Sequence, residues 1–302
     1  MAGTALTIGN FDGVHLGHRS LINVARERVG SQGTVLALTF DPPPAVVLGH
    51  ADNMDRLATL DRRRTLLKEA GVDEVIICQV DEDWLGQSPS SFLEHVVLPH
   101  RPDVVIEGPD FRFGKARSGD IDTLSVFGEA HGFEVCVVPP VTAPLSDLQS
   151  AQVSSSLIRW LLKRGRLTDA QRLLGYRWRI EGEVVAGSQR GREIGCPTAN
   201  LDHGDLVLPA DGVYAGVAHC EAGTFSAAVS IGCKPTFEQS PRVLEAHLIG
   251  WDGSLDVYGW DLEIEFVTWL RDQARYASVR ELMVQIERDL DAVRAAIPTS
   301  RV

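Results

Sequence analysis

The first half of the chain alternates continuous apolar runs with longer stretches whose apolar residues recur every three or four positions. The runs "ALTIGNF", "TVLALTF", "EVIICQV", "PDVVIEG" and "FEVCVVPPV" read as five strands. Between them a helix is predicted from about His18 through "LINVARERV". A second covers "LDRRRTLLKEAG" and is closed by Gly71, and a third covers "SPSSFLEHVVL", whose serines suit a helix cap. Strands without polar alternation are buried on both faces, so the pattern predicts a parallel sheet covered by helices. Ligands of such sheets bind beyond the carboxyl ends of the strands. The unusual residue clusters of this half all fall at those ends.

The rhythm then changes. "VSSSLIRWLLKRGRLTDAQRLLGY" predicts two short helices, the second starting near Thr168 and Asp169 and ending at Gly175. After Tyr176 come alternating runs rich in Gly and Pro: "WRIEGEVV", "GVYAGVAHC", "FSAAVSIG", "VLEAHLIGW" and "DLEIEFVTWL". They predict an antiparallel barrel or sandwich. A last helix is expected from about Ser278 to Ala296, with Ser278 and Glu281 as a capping box and Leu282, Ile286, Leu290 and Val293 as its apolar stripe. The change of rhythm puts the boundary near residues 175 to 178, giving domains 1–176 and 177–302.

Composition narrows the classes. A chain of 302 residues suits two domains, and 44% hydrophobic residues suffice for a sizeable core. The formal charge of −12 argues against a nucleic-acid surface or docking on an anionic membrane. No apolar run approaches the roughly 18 residues that span a bilayer, and "MAGTALTIGN" lacks the basic and apolar regions of a signal peptide. Five scattered cysteines without a C-x-x-C pair read as reduced thiols, so a cytoplasmic location is expected. Nothing in the pattern fixes an oligomeric state.

The chemistry concentrates in "NFDGVHLGHRSL". The strand ends near Phe11, Gly13 and Gly17 allow close backbone approach, and His15 and His18 stand three residues apart at a helix start. Backbone N–H groups there suit phosphate, and two imidazoles can add hydrogen bonds where charge builds up. A metal site would need a third and a fourth ligand, and none is nearby. The bland alternative is a strand-to-helix turn with two solvated histidines. There is no G-x-x-x-x-G-K-[ST], which excludes a P-loop. Taken alone, "DFRFGK" fits an aromatic loop at the sheet edge, and "SSS" fits a helix cap.

The H-x-G-H turn resembles the signature of Rossmann-like nucleotidyltransferases. The fuller "GNFDGVHLGH", followed in order by "LTFDPPP", "GPDFRFGKARSGD" and "VSSSLIRWLL", resembles the adenylyltransferase module of bacterial bifunctional riboflavin kinase/FAD synthetases. The resemblance implies an α/β Rossmann-like nucleotidyltransferase domain followed by an antiparallel β-barrel riboflavin kinase domain with a C-terminal helix. By that likeness His15 and His18 would hold the ATP phosphates, and Asn10, Asp12 and Gly17 would shape the phosphate-binding turn. Asp110, Phe111 and Phe113 would help form the flavin pocket, and Ser154, Ser155 and Arg159 would meet the phosphates. Lys115 and Arg117 add local positive charge. The implied reaction is attack by an FMN phosphate on the α-phosphorus of ATP, giving FAD and pyrophosphate. Pro43 stands where the family has His, Ser156 where it has Thr, and Gln152 where relatives often have Arg.

"GSQRGREIGCPTANL" resembles the family's kinase loop. Gly187, Gly191 and Gly195 would form a nest of backbone donors for phosphate. Thr198 and Asn200 suit a Mg²⁺ carried in with ATP, although "PTAN" alone reads equally well as a turn leading into a strand. Glu245 would be the base that takes the proton of riboflavin's terminal hydroxyl. Arg271 and Tyr276 would touch flavin from a flap, in which Asp272 replaces a common Pro. Cys196, Cys233 and Lys234 are milder departures. The reading is therefore a Mg²⁺-dependent enzyme with ATP, riboflavin and FMN as partners. Its alternative is a riboflavin kinase alone, with a degenerate first module.

Overall fold

In the computed structural model the described residues are 3–49, 55–187, 191, 195–233, 242–253 and 257–298. Lys234 lies outside them. The chain divides into two compact units, Met1–Ser155 and Ser156–Val302.

The first unit is built on five parallel strands, β1 (Thr4–Ile8), β2 (Thr34–Phe40), β3 (Glu74–Cys78), β4 (Val104–Glu107) and β5 (Glu134–Val137). Their spatial order is β3-β2-β1-β4-β5. The chain builds outward from β1 to β3 and then returns to add β4 on the other side, so the order reverses between β1 and β4. The helices are α1 (Leu16–Val29), the short α2 (Pro44–Val47), α3 (Leu60–Glu69), the one-turn α4 (Glu82–Leu85) and α5 (Pro89–Phe92), and α6 (Ile121–His131). Ser88 caps α5 as its sequence suggests, but the helix then widens into a π turn over Leu93–Val97. Five residues of β1 pair with β2, whereas only Ala5 and Leu6 pair with β4. One core packs Leu6, Ile8, Leu38, Phe40, Phe92 and Val105. A small antiparallel ribbon, β6 (Thr142–Pro144) with β7 (Ser150–Gln152), follows.

The second unit holds α7 (Ser155–Lys163, from its second residue) and α8 (Leu167–Leu174), then a closed antiparallel barrel. Its strands are β8 (Arg179–Val185), β9 (Ala199–Asp202), β10 (Gly212–Cys220), β11 (Gly223–Cys233), β12 (Arg242–Leu248) and β13 (Asp261–Arg271), arranged β10-β11-β12-β9-β8-β13. Trp178, fully buried, stacks on Phe266 at 5.2 Å, and Tyr214 meets Phe266 edge-on at 5.4 Å, which fills the barrel. The Gln171 amide of α8 donates to the Phe266 carbonyl at 2.7 Å. The last helix, α9 (Val279–Ala296), is capped by Ser278, whose hydroxyl accepts from Glu281 N at 3.2 Å. It covers Ala215 and Val217 with Val293, followed by Ile297. Strand β10 is therefore buried on both faces, unlike the half-exposed strand that reading "GVYAGVAHC" as an alternating run implies.

Candidate functional site

The β1–α1 turn of the first unit is tight. Phe11 (φ 47°), Gly13 (φ 78°) and Val14 (φ 36°) all lie in the left-handed region. A β-branched residue there is strained by about 1–3 kcal/mol, so neighbouring bonds must hold it. They do. The Asp12 carboxylate accepts from Leu57 N at 3.0 and 3.1 Å and from Ala58 N at 3.3 Å. The Asp12 carbonyl accepts the Ser155 hydroxyl at 2.8 Å, and Arg19 Nε donates to the Val14 carbonyl at 3.2 Å. Asp12 and Ser155 thus act on the shape of the turn. Neither lines the cavity beside it, and exposed Asn10 does not line it either.

Helix α1 starts at Leu16, two residues before the position its pattern suggests, because His15 is itself the cap. Its Nδ1 accepts from His18 N at 3.4 Å. The two imidazoles stack, 3.6 Å between centroids and 15° between planes. Gly17 makes room for this: a Cβ there would lie 3.2 Å from the His15 ring. His18 also meets Phe11 edge-on at 5.1 Å. Burial first, then the His15 and Arg63 charges, holds the His18 pKa well below the usual histidine value, so the ring is neutral at neutral pH. Its Nδ1 is buried without a hydrogen-bond partner, a group that a ligand oxygen can satisfy.

His15, Gly17 and His18 line a cavity of about 240 Å³ where the strand order reverses between β1 and β4. Open α/β sheets bind ligands at such a switch point. Asp110, Phe111 and Gln152 join the lining. Phe113 does not: it is buried against Phe92 at 5.3 Å, and Phe111 stacks on it at 5.4 Å. Ser154 is half-buried beside α7, and Arg159 lies further along α7 in the second unit. Pro43 is buried at the start of α2. Glu107, a buried carboxyl that also lines this cavity, carries no sequence signal, because it ends an apolar run and belongs to no motif.

In the second unit Gly187, Gly191, Gly195, Thr198 and Asn200 line one cavity of about 290 Å³. The glycines are needed where they press on the polar pair. A Cβ on Gly187 would fall 2.0 Å from Asn200 Nδ2, and one on Gly191 would fall 2.3 Å from the Cys196 carbonyl oxygen and 3.6 Å from Thr198 Oγ1. Gly195 adopts φ 75°. Asn200 sits directly across from Glu245 in the β9–β12 register, so the two share one face of the sheet. Glu245 is half-buried. Burial pushes the Cys196 thiol up to about 11, which keeps it protonated and unreactive at neutral pH. His247, whose Nδ1 lies 2.7 Å from the Pro197 carbonyl, also lines the cavity. So does an aromatic wall of Trp251, Tyr258 and Trp260, the two indoles stacked at 5.3 Å. Trp251 reads in sequence only as a strand end, and Tyr258 and Trp260 fall between the predicted strands.

Arg271 and Tyr276 lie together, with the guanidinium 6.0 Å from the ring, but outside that lining. Arg271 is held by the buried Asp289 of α9 through Nε at 2.8 Å and an Nη at 2.6 Å, and the other Nη donates to the Asp272 carbonyl. Among the described residues no group of three or more His, Cys, Asp or Glu could hold a metal. No helix among them is long and apolar enough to cross a membrane.

A histidine-bearing turn at the switch point of an open sheet, together with a glycine-lined cleft on a closed barrel, defines a two-domain nucleotide-using transferase. Residues 1–157 match the family model described as FAD synthetase, and residues 174–297 match the one described as riboflavin kinase. The chain belongs to the bifunctional riboflavin kinase/FMN adenylyltransferase family. Relatives with that name include proteins of Haemophilus influenzae (34% identical, covering 98% of this chain and 94% of the relative) and Escherichia coli K12 (34% identical, covering 95% and 90%). A solved structure described as a macrolide-efflux protein from Streptococcus pneumoniae is 26% identical and superposes with a TM-score of 0.85 over 97% of this chain and 94% of that one. Both domains are present, which favours an enzyme of two activities over a kinase with a degenerate first module.

Proposed function

We propose that the two activities divide between the two clefts. Residues 1–176 would transfer the adenylyl group of ATP to FMN, and residues 177–302 would phosphorylate riboflavin. In the first cleft the FMN phosphate attacks the α-phosphorus of ATP and pyrophosphate leaves. His15, the α1 N-terminus and the neutral His18 hold the phosphates. Ser154 adds a contact from just before α7, and Asp110 and Phe111 form part of the flavin side. No covalent enzyme intermediate is needed, and positioning carries the reaction.

At the barrel cleft Glu245, across from Asn200 and outside the cavity lining, takes the proton of the ribityl hydroxyl as that oxygen attacks the γ-phosphorus of ATP. Gly187, Gly191 and Gly195 cradle the phosphates. Thr198 and Asn200 offer the hydroxyl and amide oxygens that suit Mg²⁺, which supplies charge neutralisation on the phosphates when bound. Arg271 and Tyr276 meet the flavin from the segment after β13. The enzyme would work in the cytoplasm, where ATP and reduced thiols are found.

The observation that carries this reading is the convergence in the barrel: Gly187, Asn200 and Glu245 are spread over nearly sixty residues, yet the fold sets Asn200 against both others. The test is to incubate the protein with riboflavin, ATP and Mg²⁺ and to separate the flavins over time. FMN followed by FAD is expected. FMN alone would remove the first cleft from the scheme, and neither product would overturn both assignments.

A further inference from the structure

The first cleft contains a group that its proposed chemistry does not use. Glu107 ends β4, is buried, and lines the cavity that also holds His15 and His18. Its Oε1 accepts the Ile8 N–H of β1 at 2.6 Å, and the Gly108 N–H donates to the same carboxyl. The β1–β4 ladder stops at Leu6 and Val105, so beyond that pair the side chain takes over the join between the two diverging strands. A carboxylate at that point would stand in the cavity proposed for the most highly charged substrate, since like charges in a shielded cleft repel strongly. The neutral acid would not.

We propose that Glu107 is a charge gate of the adenylyl-transfer cleft: as the neutral acid it holds the end of β1 and admits the nucleotide's phosphates, and as the carboxylate it excludes them. Burial, the largest influence, raises its pKa well above the usual carboxyl range, so the neutral acid extends far above the ordinary carboxyl pH range. The other titratable groups lining the cavity are His15 and His18 of the β1–α1 turn and the exposed Asp110 of the loop after β4. The Asp12 carboxylate is turned to the Leu57 and Ala58 amides. The lining after β5 and from β7 adds only Val138 to Val141, Gln152 and Val153. His18 is already neutral, the Arg63 guanidinium of α3 whose charge reaches it donates to the Thr39 hydroxyl and the Phe40 carbonyl, and among the described residues no Lys or Arg lines the cavity to offset a Glu107 carboxylate on the alkaline side.

This inference rests on the reading of the cleft as the adenylyl-transfer site. The experiment measures kcat and KM for ATP in FAD formation from FMN on the full chain, from about pH 6 to about pH 10. It compares the unsubstituted protein, Glu107→Gln and His18→Ala, with urea unfolding of the first unit on the same preparations as the folding control, because riboflavin phosphorylation reports only on the other unit. In the unsubstituted protein an alkaline limb of about tenfold in kcat/KM per pH unit is expected, residing in KM for ATP. Glu107→Gln, which keeps an acceptor for Ile8 N–H and cannot ionise, should lack that limb. A limb that persists in Glu107→Gln, or one confined to kcat in the unsubstituted protein, would overturn the gate. The second criterion needs no variant and stands even if Glu107→Gln fails to fold. If His18→Ala still makes FAD at the unsubstituted rate, the assignment of the cleft has failed. If His18→Ala is inactive and the Glu107→Gln limb remains, only the gate has failed.

Discussion

Replacing Gly187 by Ala tests the barrel cleft at its tightest point. The new Cβ would lie 2.0 Å from Asn200 Nδ2 and 2.4 Å from its Cγ. Ordinary contact needs about 3.5 Å, so the amide must retreat by about 1.5 Å. Misplacing a reactive or positioning group by about 1 Å costs on the order of 100-fold in rate. A loss of at least that size in riboflavin phosphorylation is therefore expected, equivalent to about 2.7 kcal/mol of transition-state stabilisation. The clash falls on a side chain, so the barrel should keep its fold, and FAD formation from supplied FMN should stay within about twofold because it uses the other cleft. Asn200→Ala should cause a comparable loss by itself. The double variant should lose little more than either single one, since both act through one amide. The assay is initial FMN formation at saturating riboflavin, ATP and Mg²⁺. Kinase activity of Gly187→Ala within about threefold of the unsubstituted protein would refute the role given to Asn200.

Four further outcomes follow from the structure. His18→Ala should lower FAD formation by about 100- to 1,000-fold, the usual cost of removing a donor that meets developing charge, while FMN formation continues. Because the His18 pKa is depressed in the fold, the unfolded chain takes up the proton first as pH falls below about 6.5, so the unit loses stability on acidification. Melting curves should show a shallower acid dependence in His18→Asn. Asp12→Ala removes a buried carboxylate that accepts two backbone amides, and a loss of about 3 kcal/mol in the unfolding of the first unit by urea is expected. Trp178→Ala empties the barrel beside Phe266 and should cost about 3–5 kcal/mol, read as a lowered midpoint for the second unit.

The apolar rhythm placed the sheet well. "TVLALTF" is the strand Thr34–Phe40, and Ser278 caps the last helix as its spacing suggests. The H-x-G-H and P-T-A-N blocks could be picked out because adjacent residues carry both a turn and a chemistry. What escaped had no local signature. Asp289 looks like a solvated face of α9 until Arg271, eighteen residues earlier, is folded against it. Glu107 reads as the polar end of an apolar run, and only the parting of β1 from β4 turns it inward. Trp251 and Trp260 acquire a common wall only when the barrel closes. The start of α1 was displaced by two residues because a histidine is an unusual cap, and only its stacked partner shows why it serves as one.

The pairing of β1 with β4 also governs how the protein comes into being. Ala5 meets Val104 across about a hundred residues, so the central ladder of the first unit cannot close during synthesis until β4 has left the ribosome. Until then Leu6 and Ile8 present an open strand edge, a template for wrong pairing. The barrel's β10–β11 hairpin turns within Glu221 and Ala222 and can zip locally. Aggregation of nascent chains is therefore a hazard until Val104 has emerged, and in ribosome-bound chains ending before it the edge of β1 that faces β4 should stay open to hydrogen exchange although its other edge can pair with β2.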